Sequence, residues 1–296
     1  MIEKAIDVQS LSYHHKNFEL KDISFHVPKG YVTGFIGANG AGKTTIIRLL
    51  MNLIHRESGY IEMLGHEMPK QEREIKEQIG FIYSELYLNE KWTIEKVERC
   101  IGPMYRNWDH DIFHHYIERF KLPLKKKIKT FSTGMKMKLS FAIAFSHHAK
   151  LFILDEPTAG LDPIARNEVL EIIQEELINE DVSVFFSTHI ISDIEKIADH
   201  LVYLKDGQII FNEPKYVLLD DYQLIRGSVE DLDEELKSYI INLKIKQTGY
   251  VGLTKEADAF KEIFGDRVEI SKPTIEELMV NVEKCGLDEA KLGEVL

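Results

Sequence analysis

The run Gly37-Ala38-Asn39-Gly40-Ala41-Gly42-Lys43-Thr44-Thr45 constrains this chain more than any other stretch of it. It fits the spacing G-x-x-x-x-G-K-[ST], in which glycines let the backbone turn sharply and approach a phosphate closely. Its flanks agree. Tyr31-Val32-Thr33-Gly34-Phe35-Ile36 is β-branched and aromatic, as a buried strand is. Ile46-Ile47-Arg48-Leu49-Leu50-Met51 reads as a helix with an apolar face. A strand, a glycine turn and a helix N-terminus gather backbone N–H groups into a nest for an anion. In that nest Lys43 puts its ammonium on the β- and γ-phosphates of a nucleotide, and Thr44 puts its hydroxyl on Mg²⁺.

A second element agrees with the first. Leu151-Phe152-Ile153-Leu154-Asp155-Glu156-Pro157 is four apolar residues ending in two carboxylates. That is the pattern of a buried parallel strand whose acids lie at the C-terminal edge, where open α/β sheets bind ligands. Asp155 is placed to hold the Mg²⁺ shell. Glu156, one residue on, is the candidate general base for the attacking water. Pro157 stops the strand. Together the two elements predict an α/β P-loop nucleotide hydrolase.

Three further motifs narrow the class. Phe131-Ser132-Thr133-Gly134-Met135 looks like the L-S-G-G-Q signature of ABC-type ATPases. Ala159-Gly160-Leu161-Asp162 resembles the D-loop of that family, and Ser187-Thr188-His189 resembles its switch histidine. The order and spacing match, and the resemblance covers about residues 2 to 215. It implies an ATPase core with a parallel sheet, helices and an antiparallel β layer over residues 1–215, with a helical subdomain at about 86–148. Residues 216–296 are then an accessory α/β extension. The resemblance also implies ATP and Mg²⁺ as ligands and a head-to-tail pair of subunits with two ATP molecules between them. In it the helix N-terminus at Ser132 and Gly134 faces the partner's γ-phosphate, Asp162 of the D-loop is a nucleotide-site residue, and His189 contacts the γ-phosphate and helps position water. The membrane part is a separate permease chain, which places this subunit on the cytoplasmic face of the membrane.

The chain departs from the family pattern at several places. Thr133 and Met135 stand where the signature usually has glycine and glutamine. The lid glutamine expected after Ile79-Gly80-Phe81-Ile82 is replaced by Ser84, with Glu85 next. Ser84 is too short for a glutamine's contact, so either Glu85 substitutes or the contact is absent. The adenine-stacking position aligns with His15, with Tyr13 as the alternative.

Composition then sets the partners. With 37 basic and 49 acidic side chains, the net charge of −12 argues against a general nucleic-acid binder, which needs a basic face. The charge is uneven: residues from 211 onward carry −8, while residues 121–150 hold eight lysines and no acid. Lys125-Lys126-Lys127-Ile128-Lys129 is read as a solvated face. The opening Met1–Asp7 has acid where a signal peptide has its basic and apolar regions, so no cleaved leader is expected. No apolar stretch reaches the roughly 18 to 20 residues that span a bilayer. Cys100 and Cys285 read as free thiols of a reducing compartment.

Other features are read plainly. The pairs His14-His15, His114-His115 and His147-His148 point about 100° apart on a helix and make poor co-ligands, so they are read as surface histidines and no metal cluster is expected. Tyr83 to Trp92 is either a contact surface or a loop covering the core. In the accessory region the pattern predicts a strand over 238–246, a helix over 254–264, a strand over 267–270 and a capping box at Thr274-Ile275-Glu276-Glu277. The segment Pro273 to Met279 resembles the closing segment of drug- and peptide-export ATPases. Export of peptides or drug-like amphipathic compounds is therefore the expected function. The alternatives are a non-transport ABC-type ATPase acting on ribosomes or DNA, and a low-turnover nucleotide sensor. A single set of motifs and the lack of heptad runs weigh against the first alternative.

Overall fold

The computed structural model describes residues 3–16, 18–176, 181–247 and 249–284. Cys285 lies outside the described residues. The chain divides into two compact units, Met1–Asn212 and Glu213–Leu296.

The first unit begins with β1 (Lys4–His15) and β2 (Phe18–Pro28), followed by β3 (Val32–Ile36) and α1 (Lys43–Leu50). Next come β4 (Ser58–Met63), β5 (His66–Glu67), α2 (Glu72–Lys76) and β6 (Ile79–Tyr83). The helices α3 (Ile94–Ile101), α4 (His110–Arg119) and α5 (Thr133–Phe145) are followed by β7 (Leu151–Asp155) and α6 (Pro163–Glu176). β8 (Ser183–Thr188), α7 (Ile191–Ile197), β9 (His200–Lys205) and β10 (Gln208–Pro214) complete the series.

Two sheets result. β2-β1-β4-β5 is an antiparallel layer, and β10-β9-β3-β8-β7-β6 is a six-stranded sheet in which β9, β3, β8, β7 and β6 run parallel. Every residue of β3, β7, β8 and β9 is buried, the mark of strands covered on both faces. The two layers share one core. Phe25 of β2 stacks on Phe35 of β3 with ring centroids 5.9 Å apart, and Phe35 stacks on Phe185 of β8 at 5.1 Å. β9 and β10 are joined by Asp206-Gly207, both left-handed at φ 47° and 75°, the backbone of a two-residue hairpin turn.

The helical block between β6 and β7 is tied by aromatics. Tyr116 meets Phe145 at 4.6 Å, and Phe145 meets Phe152 of β7 at 5.3 Å. Here one sequence expectation is corrected. His147 is buried, not a surface histidine: its ring lies flat on Tyr105 at 4.0 Å and 5°. Tyr105, which arrives from the loop after α3, covers it, and no local pattern shows that. His148 and His114 are exposed as expected.

The second unit contains α8 (Lys215–Asp221), β11 (Gln223–Gly227), α9 (Glu234–Ser238), β12 (Ile241–Lys246) and β13 (Gly249–Thr254). It ends with α10 (Ala257–Phe264), β14 (Glu269–Ser271) and α11 (Ile275–Lys284). Its sheet, β12-β13-β11-β14, is antiparallel and carries its own core of Ile225, Ile240, Tyr250, Phe260, Phe264 and Val268. The predicted elements are present with shifted bounds. Thr254 ends a strand instead of opening a helix, because it pairs in register with Gln223 of β11. Ser238 ends α9, and the strand after it starts at Ile241. The capping box forms: Thr274 Oγ1 accepts from Glu277 N, and Glu277 Oε2 accepts from Thr274 N.

Candidate functional site

The site is assembled at the C-terminal edge of the parallel sheet. β3 delivers the glycine turn and α1 begins at its end. Gly42 caps α1 at φ 114°, and a Cβ there would fall 2.6 Å from the Phe18 ring, so only glycine fits. No side chain caps α1, which leaves its first N–H groups for a ligand. Lys43 is buried, and its Nζ donates to Gly37 O at 2.7 Å and to Ala38 O at 3.3 Å. The loop therefore positions its own lysine.

β7 brings the carboxylates to the same edge. Thr44 Oγ1 donates to Asp155 Oδ1 at 3.3 Å. Ser187 Oγ, at the end of β8, donates to the same oxygen at 2.7 Å and accepts from Glu156 N at 3.1 Å. Glu156 is left-handed at φ 52°, an uncommon state for a residue with a Cβ, and the bonds from its N–H to Ser187 hold it there. Its carboxylate lies 3.4 Å from Lys43 Nζ and 2.8 Å from His189 Nδ1. One acid thus bridges the lysine and the histidine, with 17% of its side chain exposed.

These residues face a cavity of about 380 Å³ lined by Phe18, Asn39, Gly40, Gly42 to Thr45, Ser84, Glu156, Ala159 and His189. Gly37, Ala38, Ala41 and Asp155 stand behind that lining. His15, the expected stacking residue, is not among that lining. The aromatic ring in the cavity is Phe18, the cross-strand partner of His15 at the β1–β2 turn. Tyr13 is packed against the core. The strand register, which local spacing does not show, sets Phe18 opposite His15. Ser84 lines the cavity and Glu85 does not.

Ser132, Gly134 and Asp162 also lie away from this cavity. Ser132 caps α5, its Oγ accepting from Met135 N at 3.2 Å. Asp162 Oδ1 accepts from Ile164 N and Ala165 N at the start of α6. Sequence reasoning assigned no role to Phe18, to the Ser187 hydroxyl, or to Thr158, Arg166 and Asp193. The last three meet through a buried carboxylate. The available signal for Ser187 was a hydroxyl following the apolar run Val184-Phe185-Phe186 of β8.

A phosphate nest, a buried lysine and paired strand-end carboxylates define a nucleotide-hydrolase site of the P-loop class. Residues 20–159 match the family described as ABC transporter. The chain is 29% identical to the ABC transporter ATP-binding protein YtrB of Bacillus subtilis (strain 168), over 99% of this chain and 96% of the relative. It is 36% identical to the bacitracin transport ATP-binding protein BcrA of Bacillus licheniformis, covering 72% of this chain and 70% of the relative. A solved structure of an ATP binding subunit of an ABC transporter superposes with a TM-score of 0.66 at 28% identity, covering 72% of this chain and 91% of the other. This chain belongs to the ABC transporter family as an ATP-binding subunit, one that hydrolyses ATP to drive transport. Among the described residues no helix is long and apolar enough to cross a membrane.

Proposed function

We propose that this subunit powers export through a separate membrane chain, with Glu156 as the base of the hydrolytic step. The single observation that carries the site reading is the Glu156 carboxylate, held between Lys43 Nζ and His189 Nδ1. From there it takes a proton as water attacks the γ-phosphate, and Lys43 draws off charge from the phosphate oxygens. His189 orients the base and the phosphate. Thr44 Oγ1 and Asp155 Oδ1 are hard oxygen donors side by side, which suits Mg²⁺. Bound there, Mg²⁺ would neutralise phosphate charge. Phe18 supplies the ring on which adenine stacks.

Ser132, Gly134 and Asp162 lie apart from their own chain's cavity, as expected if they serve a partner's nucleotide in a head-to-tail pair. ATP favours the closed pair and hydrolysis reopens it, so differential affinity does the mechanical work. The subunit then works at the cytoplasmic face of the membrane against a permease. The cargo is an amphipathic peptide, of the kind a phenol-soluble modulin or antimicrobial-peptide exporter carries. The relative named for bacitracin transport and the Pro273–Met279 segment support that class.

Glu156→Gln tests the base. Turnover should fall by about 100-fold or more while ATP affinity stays within about twofold, the pattern of a lost general base. Native turnover in that variant would remove Glu156 from the role. Stimulation of the purified chain's ATPase activity by its membrane partner and by amphipathic peptides tests the cargo.

A further inference from the structure

We infer that Asp193 is a positioning residue that fixes the His189 arm against the loop carrying Glu156. This rests on the assignment of Glu156 and His189 to the hydrolytic step.

His189 has little to hold its own ring. Its side chain is 43% exposed, and it bonds to Glu156. Its place therefore depends on the backbone either side, β8 before it and α7 after it. β8 is fixed by the sheet. α7 is seven residues long and opens on Ile190, which supplies no side-chain cap.

Asp193, in the first turn of α7, ties this uncapped helix to other segments of the chain. Its side chain is 1% exposed, and both oxygens are engaged. Oδ2 accepts from Thr158 Oγ1 at 2.6 Å, and Oδ1 accepts from Arg166 Nε at 2.6 Å. Arg166 also donates through Nη2 to Ser192 Oγ at 2.6 Å. Thr158 lies two residues after Glu156, and Arg166 lies in the first turns of α6, its N–H bonded to Asp162 O. One buried carboxylate therefore joins three segments: the loop after the base, the helix after Asp162 and the helix after the histidine. None of Asp193, Thr158 and Arg166 lines the nucleotide cavity.

A buried charge with two charge-assisted bonds keeps a fixed geometry, and removing one partner leaves the others unsatisfied. Loss of Asp193 should let the His189 arm drift from Glu156. Small misplacements of this kind cost turnover and not affinity, because Lys43 and Thr44 hold the nucleotide independently.

The test uses the full chain with Asp193→Asn, the milder Thr158→Val, His189→Ala and the double variant Asp193→Asn/His189→Ala. Asp193→Asn should lower kcat about tenfold, with KM and ATP affinity within about twofold of native. Thr158→Val removes one bond at constant volume and should lower kcat about threefold; it decides the matter if Asp193→Asn fails to fold. In the His189→Ala background Asp193→Asn should have no further effect, since its action passes through the histidine. An Asp193→Asn penalty retained in full in that background, or matched by an equal loss of ATP affinity, would mean general loosening and overturn the inference. Native kcat in both Asp193→Asn and Thr158→Val, with His189→Ala slow, overturns it while leaving the site intact. Native turnover in His189→Ala removes the site reading itself.

Discussion

Phe18 and Lys43 sit in the same cavity but were unequally visible in the sequence. Lys43 is set by spacing within one loop, and its bonds to Gly37 O and Ala38 O are as local as the motif. The same holds for Thr44 in the first turn of α1, and for Asp155, Glu156 and His189 at strand ends. Phe18 arrives through the register of the β1–β2 hairpin, which sets it opposite His15. Asp193 was hidden for a related reason, since its partners come from two other segments of the chain. Phe18→Ala should weaken ATP binding about tenfold, the scale of a lost aromatic stack with its area, while tripolyphosphate binding stays near native. Equilibrium titration of both ligands checks this. A drop with His15→Ala in place of Phe18→Ala would return the stacking role to His15.

At the level of elements, strands and capped helices were legible because their signals are short-range: apolar runs, the Asp206-Gly207 turn and the Thr274–Glu277 box. Bounds in the accessory unit were less so, because pairing with β11 extends β13 to Thr254 against the local helical pattern. The helical block hid His147 in the same way. Burial pushes this imidazole down to about 4, against the backbone carbonyls of His147 and Glu77 that favour the proton, and His148 lowers it a little further. Its Nδ1 has no hydrogen-bond partner among the described residues. An unfolded histidine titrates near 6.5. Between those two values the unfolded chain holds more protons than the folded one, so stability is full above about pH 6.5 and declines as pH falls towards 4. The loss from this group is at most about 3 kcal/mol. Urea unfolding at pH 7 and pH 5 should show it, and His147→Phe, which keeps the ring stack on Tyr105, should flatten the difference. An unchanged pH dependence in that variant would place the titrating group elsewhere.

At the scale of the whole chain, each of the two units has a core of its own and the site falls within one of them. From Phe18 to His189, every lining residue of the nucleotide cavity belongs to the first unit. The charge follows the same division, with −4 on residues 1–210 and −8 on the remainder. A domain with its own core and complete site should fold and bind ligand alone. The place of the cut matters: β10 runs to Pro214 at the edge of the six-stranded sheet, so ending the chain at Asn212 would shorten a paired strand. A chain of residues 1–214 keeps that strand and removes everything from α8 onward. It should melt cooperatively and bind ATP within about twofold of the full chain, because no described residue past 214 lines the cavity. The full chain should also show a second transition, or an added unfolding enthalpy, from the accessory core of Ile225, Tyr250 and Phe260. Calorimetry and ATP titration of the two chains measure both quantities. If residues 1–214 fail to fold, or lose more than about tenfold in ATP affinity, the accessory unit is part of the nucleotide engine and not an appendage to it.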